Sequence, residues 1–138
     1  METESFNLPT EDYNHLQKQY PNLGKNGDIS KIAIEIVKLY FQTKSTKITF
    51  KKAKNGGDII VCNNEVEIEY EVKGTEDSEL AFSKLKVSSQ KCHDALKNGM
   101  VLIRVTNIRK YNVMLYFLKY GIDFTLHHEP RWKLQQVK

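Results

Sequence analysis

The stretch NGGDIIVCNNEVEIEYEVKGT, residues 55–75, decides the fold. Asn55-Gly56-Gly57 is a turn signal, because glycine enters backbone conformations closed to other residues. Asp58 to Cys62 is a short apolar run between turns and reads as a buried strand. Asn63-Asn64 turns the chain again, and Glu65 to Lys73 alternates strictly. Alternation sends successive side chains to opposite faces of a strand. Val66, Ile68, Tyr70 and Val72 therefore share one face and are expected to build core. Glu65, Glu67, Glu69, Glu71 and Lys73 share the other. A central strand is normally apolar on both faces. A row of charge there calls for an answer: plain exposure, as on an edge strand guarded by charge, or a cleft that holds a cation.

Working outward, Lys47 to Lys52 alternates as a strand, with Ile48 and Phe50 on one side. Its short connection to Asp58–Cys62 predicts an antiparallel meander of three strands. Upstream, Ile29, Ile32, Ala33, Ile36, Val37, Leu39 and Tyr40 recur at helical spacing. They predict a helix over 29–43 with Asp28 as N-cap, and Glu35 at one border of its apolar face. Downstream, Ser88 or Ser89 caps a helix over 90–98, with Cys92, Ala95 and Leu96 facing inward and Gly99 ending it. Met100 to Thr106 is a fourth strand, and the right-handed crossover rule makes it parallel to the third. The order α-β-β-β-α-β predicts an α/β fold, a three-layer α/β/α sandwich with a mixed four- to five-stranded sheet. We read one domain over 1–138: a lead-in over 1–26 with a short helix from Glu11 to Tyr20, a core over 27–107, and a C-terminal extension over 108–138. Within the extension NVMLYFLKYG fits both periods and is taken as a strand, and Trp132 as a packing residue. His127-His128-Glu129 reads as polar surface, since adjacent strand histidines point apart.

Bulk composition bounds the function. Hydrophobic residues make up 40% of the 138, enough for one soluble core. No run approaches the ~18 apolar residues of a membrane span. METESFNLPTEDYNH has no apolar leader, so the reading is a cytoplasmic protein with no membrane partner. Cys62 and Cys92 are far apart and lack zinc spacing, so they read as free thiols. The net charge of +4 is mild, but its distribution is uneven. Lys44, Lys47, Lys51, Lys52 and Lys54 fall in one acid-free stretch, and Lys84, Lys86 and Lys91 in another; residues 65–79 between them hold seven acids and one lysine. Basic walls around an acidic pocket suit a phosphate backbone held over a bound cation.

Asp58 opens the second strand, beside the third, so a carboxylate from each can converge on one divalent cation. Mg²⁺ takes hard oxygen ligands and retains several waters. Lys73, two residues beyond Glu71, points the same way and can contact a phosphate or align the attacking water. Two carboxylates and a lysine suffice for metal-assisted phosphodiester hydrolysis.

GGDIIV (56–61) followed by EVK (71–73) resembles the PD-(D/E)XK, or restriction-endonuclease-like, nuclease superfamily, whose core has the same element order. YEVKGT together with FSKLKVSSQKCHDALKNGMVLIRV (70–75 and 82–105) is similar, more closely, to the nuclease-like domain at the C-terminus of NO VEIN-type proteins, which recurs in restriction and defence proteins. The resemblance covers about residues 27–107. It implies that Asp58 and Glu71 bind the metal, that Val72 offers its carbonyl, and that Lys73 is the catalytic lysine. It further implies that Glu35 lines the site and contacts the metal or its water, and that Gln90 faces the site. Gly57 stands where the family's proline would. The implied activity is a Mg²⁺-dependent deoxyribonuclease, with Mn²⁺ as substitute. Eight lysines (Lys44, Lys47, Lys51, Lys52, Lys54, Lys84, Lys86 and Lys91) would hold the backbone. DNA is the expected substrate, though such lysines do not distinguish the sugar of RNA. Cutting both strands needs two sites, hence a homodimer or partner subunit. The alternative is a catalytically silent nucleic-acid-binding or assembly module on the same fold.

Overall fold

A computed structural model describes residues 1–21, 26–128, 134, 136 and 137. Gly24, Glu129 and Trp132 lie outside the described residues. In chain order the elements are β1 (Glu2–Asn7), α1 (Thr10–Gln19), α2 (Asn26–Gln42), β2 (Thr49–Lys52), β3 (Ile59–Asn63), β4 (Val66–Gly74), α3 (Gln90–Lys97), β5 (Val101–Thr106) and β6 (Asn112–Leu118). The six strands form one mixed sheet in the order β1-β6-β5-β4-β3-β2. β2, β3 and β4 make the expected antiparallel meander, and β4 and β5 are parallel. No helix among the described residues is long and apolar enough to cross a membrane.

The sheet is larger than the four to five strands expected. The lead-in supplies β1, which pairs antiparallel with β6 from the C-terminal extension. Phe6 explains why this polar segment is recruited: opposite Val113, it packs edge-on against Tyr40. The helix expected from 29 begins three residues earlier, at Asn26, so Asp28 lies in its first turn instead of capping it. An acid there still answers the unpaired N–H groups and the helix dipole.

Alternation divides the core between the two faces. Ile59, Val72, Ile103, Val105, Val113 and Leu115 cluster with Ile32, Ala33, Ile36 and Val37 of α2 and Leu16 of α1. Leu102 and Leu118 point the other way and meet Cys92 and Leu96 of α3. Ser89 caps α3 as expected, its Oγ accepting from the Cys92 N–H at 3.1 Å. Gly99, at φ +110°, follows the helix in the left-handed backbone that suits glycine.

One core assignment fails. Val66 and Ile68 are 59% and 46% exposed. β5 begins only opposite Tyr70, so the first four residues of β4 have a strand partner on the β3 side alone. α2 reaches no further either: Phe41, near its end, stacks at a tilt on Tyr70 with ring centres 5.4 Å apart. The two pairings overlap at Tyr70, and it is the second half of β4, Tyr70 to Gly74, that lies against β5 and under the helices.

At the far end of that half, α2 crosses so closely that Gly74 has no room for a side chain. A Cβ there would stand 2.7 Å from the Ala33 Cβ and 3.1 Å from the Ile29 carbonyl oxygen. Beyond it the chain is tied back by Arg104, buried on β5, which donates from Nε to the Leu80 carbonyl at 2.8 Å and from Nη1 to the Gly74 carbonyl at 3.2 Å. Gly74→Ala must push α2 off the sheet and is expected to lower unfolding free energy by ~1–3 kcal/mol, the usual range for an overpacked core. Urea denaturation checks this, and an unchanged midpoint would contradict the close crossing.

Candidate active site

The charged face of β4 serves a different purpose at each position. Glu65 is exposed in the turn before the strand. Glu67 pairs with Lys51 from β2, and each partner shifts the other: the contact lowers the carboxyl pKa and raises that of the ammonium. Glu69 turns both oxygens to the β2–β3 connection, accepting from the N–H groups of Lys54 at 2.8 Å, Asn55 at 2.9 Å and Gly57 at 2.9 Å. Burial alone would raise its pKa; the three amides and the nearby Lys91 charge outweigh that and lower it. Glu71 is buried, only 5% exposed. Lys73 is half-buried, with its Nζ 3.9 Å from Glu71 Oε1.

Strand register brings Asp58 to Glu71. Ile59 pairs with Tyr70, so one step outward puts Asp58 across from Glu71 on the same face. The Asp58 N–H donates to the Tyr70 carbonyl at 2.8 Å, and its Oδ2 accepts the Val72 N–H at 2.7 Å. Val72 thus meets Asp58 through its N–H, a different group from the carbonyl expected to face a metal, while its side chain lies in the α2-side core. Behind Glu71, the Cys92 thiol of α3 donates to Oε2 at 2.5 Å. Burial, then the adjoining Asp58 carboxyl, push Glu71 up to about 8, against the downward pull of the Cys92 thiol and the Lys73 charge. Burial and the Glu71 carboxyl push the Cys92 thiol up to about 12, so it stays protonated and remains a donor. Two facing carboxyl groups, one of them buried, favour a shared proton or a cation between them.

The other expected members stand elsewhere. Glu35 lies on α2, over the opposite face of the sheet, with its carboxylate 3.4 Å from the Lys38 ammonium. Gln90 begins α3 but donates its amide to Asp94 Oδ1 at 2.8 Å. The structure therefore unites Asp58, Glu71 and Lys73, and leaves Glu35 and Gln90 with partners on their own helices. Among the described residues, no three His, Cys, Asp or Glu side chains group so as to hold a metal ion. The lysines are also dispersed. Register puts Lys51 on the Glu71 face and Lys52 on the other. Lys44 lies over the Tyr40 ring at 5.0 Å, and Lys84 pairs with Asp77 at 2.7 Å. Lys47, Lys54 and Lys86 are exposed. Lys91 borders an open cavity of about 550 Å³ beside the site, together with Asn55, Glu69, Asn98 and Met100.

Cys92 and Glu69 contribute without a signal in the sequence. Helical spacing sets Cys92 on the inner face of its helix, but nothing in that spacing announces a carboxylate as its neighbour. Glu69 is one charge in a row, and the hairpin's closure decides which amides it meets. No family model, curated protein or solved structure matches this chain.

A pH dependence follows from Glu71. Folded, it binds its proton more tightly than the unfolded chain does, for which the ordinary value is 4.5. Its stabilising contribution is therefore complete below about pH 4.5 and is lost as pH rises towards 8. Glu71→Gln keeps a neutral group there. In metal-free buffer the variant should gain on the native protein by up to ~1.4 kcal/mol per pH unit across that window. Urea midpoints at pH 5, 7 and 9 measure it; parallel curves for the two proteins would exclude a buried, proton-holding Glu71.

Proposed function

We propose that this chain is a divalent-metal-dependent endonuclease that hydrolyses phosphodiester bonds of DNA, on a three-layer α/β/α sandwich of the restriction-endonuclease-like kind. The observation that carries this reading is the meeting of Asp58 and Glu71 from neighbouring strands, with the Lys73 ammonium 3.9 Å from Glu71. Helices α2 and α3 on opposite faces, and β4 and β5 in parallel, are what that fold requires.

The donor set fits a hard cation. Asp58 and Glu71 offer carboxylate oxygens, and Asp58 is open to solvent, which leaves room for the waters Mg²⁺ retains. Mn²⁺ should substitute. A bound cation would supply Lewis acidity and neutralise charge growing on the phosphate oxygens. The protein's own groups do the rest. Asp58 is aimed by the Val72 amide and Glu71 by the Cys92 thiol, so both carboxyls are oriented before any ligand arrives. Lys73 holds its half-exposed ammonium at the edge of the pair, where it can donate to a phosphate oxygen or align the attacking water. Lys91 and Lys54 flank the Asp58 end and suit backbone contacts. Double-strand cutting on this scheme calls for a homodimer or partner subunit, and restriction or defence is the setting we favour.

A second reading has one observation behind it. Glu71 already has an oxygen committed to Cys92, and no third acidic side chain joins the pair among the described residues. That suits a catalytically silent nucleic-acid-binding or assembly module.

Plasmid incubated with purified protein and Mg²⁺ or Mn²⁺ separates the two. An endonuclease nicks or linearises it, and Lys73→Ala or Asp58→Ala lowers the rate by ~100-fold or more while the protein remains folded. Cation at ~100 times its Kd should stabilise the native chain by ~2.7 kcal/mol, an effect absent in Asp58→Ala. Cation-dependent stabilisation without cutting points to the module. Full-rate cutting by Lys73→Ala eliminates the lysine's role.

A further inference from the structure

The β2–β3 connection is held from two sides. From below, Glu69 receives the N–H groups of Lys54, Asn55 and Gly57, and both of its oxygens are occupied. From above, the first turn of α3 presses on it. A Cβ at Gly56, which has φ +89°, would stand 2.7 Å from the Cys92 N and 2.8 Å from the Lys91 carbonyl carbon. A Cβ at Gly57 would stand 2.8 Å from the Tyr70 carbonyl oxygen and 2.9 Å from the Glu69 Cγ. The two glycines are thus required by close approach, and the turn is clamped between β4 and α3. These same elements carry Glu71 and Cys92. The residue that leaves the clamp is Asp58.

We propose that Glu69 is the positioning residue of the site: by gripping the turn amides it sets where the Asp58 carboxylate stands against the Val72 amide and Glu71. Its effect on metal binding rests on the endonuclease reading; its placement of Asp58 does not. The chemistry of the grip is specific. All the partners of Glu69 in the turn are donors, and a carboxylate is an acceptor-only group with two oxygens to meet them. A glutamine would turn an amide N–H₂ against a donor. An aspartate would keep the charge but fall one methylene short. Hydrogen bonds to an ionised acceptor are among the stronger ones, so their loss frees the turn. Asp58 then keeps its N–H bond to Tyr70 and the Val72 N–H on its Oδ2, but loses the fixed turn that delivers it to them.

The test uses the full chain with Glu69→Asp and Glu69→Gln. Amide exchange is followed by NMR in EDTA, and Mn²⁺ affinity by calorimetry at low temperature, where each variant is folded. The Val72 N–H reports on Asp58 directly, because it donates to Oδ2. Both variants should exchange Val72 about tenfold faster or more, with Ile103 and Leu115 unchanged, and should bind Mn²⁺ about 10- to 100-fold more weakly. If Glu69→Asp keeps native affinity while Glu69→Gln loses it, the residue acts through its charge and the proposal fails. It also fails if all amides speed up together and Mn²⁺ affinity holds, the signature of a purely structural role. If the native chain binds no Mn²⁺, the endonuclease reading falls, and Val72 exchange alone decides the placement claim: unchanged protection in both variants overturns it.

Discussion

The structure turns on the second half of β4, which is paired with β5 along its length, meets β3 at Tyr70 and the Asp58 carboxylate at Val72, and is covered on both faces. Tyr70 to Gly74 pairs with β5 throughout, its beginning still pairs with β3, α2 lies across one face and α3 across the other. Such a strand should be apolar. Val72 obeys on the α2 side. On the α3 side the sequence puts Glu71 and Lys73 where hydrophobic residues belong, and Lys73 alone reaches the rim. A buried carboxylate without partners costs several kcal/mol, and the usual escape is to take up a proton. The neighbourhood of Glu71 is arranged around that cost: a thiol donor behind, an ammonium at one side, a second carboxyl across the hairpin.

The uncovered first half of β4 follows different rules. Glu67 faces solvent, and its pairing with Lys51 has little energetic weight at such an exposed site. Val66 and Ile68 also meet water, because neither β5 nor α2 extends to them. Glu69 lies at the boundary. It is close enough to the covered half to be partly desolvated and far enough out to reach the turn amides. One alternating sequence thus produces an ion pair, a turn clamp, a buried acid and a rim lysine at four successive alternate positions, Glu67, Glu69, Glu71 and Lys73. What distinguishes them is the depth of cover, which changes along the strand.

That gradient marks the limit of what the sequence could reveal. Local signals were sufficient for the meander, for Ser89 as a cap and for Gly99 as a stop, because turn and cap chemistry act within a few residues. That Asp58 shares a face with the glutamates of β4 was legible too, from strand alternation, but its pairing with Glu71 was not: a turn at Asn63-Asn64 would set Asp58 opposite Glu69, and the turn falls one residue later, at Asn64-Glu65. β1 was not legible. GluThrGluSerPheAsn carries one apolar residue, and its recruitment depends on the open edge of β6 more than a hundred residues away. The exposure of Val66 and Ile68 depended on where β5 begins, a tertiary fact. Cys92 against Glu71 required the position of α3 over the sheet, which helical periodicity cannot supply. Glu35 shows the reverse case: its helix was found from periodicity, but α2 covers the face opposite Glu71, and the side chain settles on Lys38.

The same low polarity that lifts Glu71 to about 8 also governs what can replace its proton. In water a divalent cation and a carboxylate attract weakly; in a partly desolvated cleft the attraction grows as the effective dielectric falls. Proton, thiol, ammonium and cation therefore compete for one pair of oxygens on Glu71. The thiol holds Oε2 and cannot be titrated away near neutrality, because its own pKa is pushed up to about 12. The ammonium is long-stemmed and half-exposed, so it can swing off Oε1 at little cost. That leaves Oε1 and the solvent-facing Asp58 carboxylate as the exchangeable half of the site. On the endonuclease reading, Asp58 and Glu71 Oε1 would hold the cation in place of the proton, and Lys73 would then be free to reach a phosphate oxygen, so that charge balance would tie occupancy of the pair to the availability of the lysine.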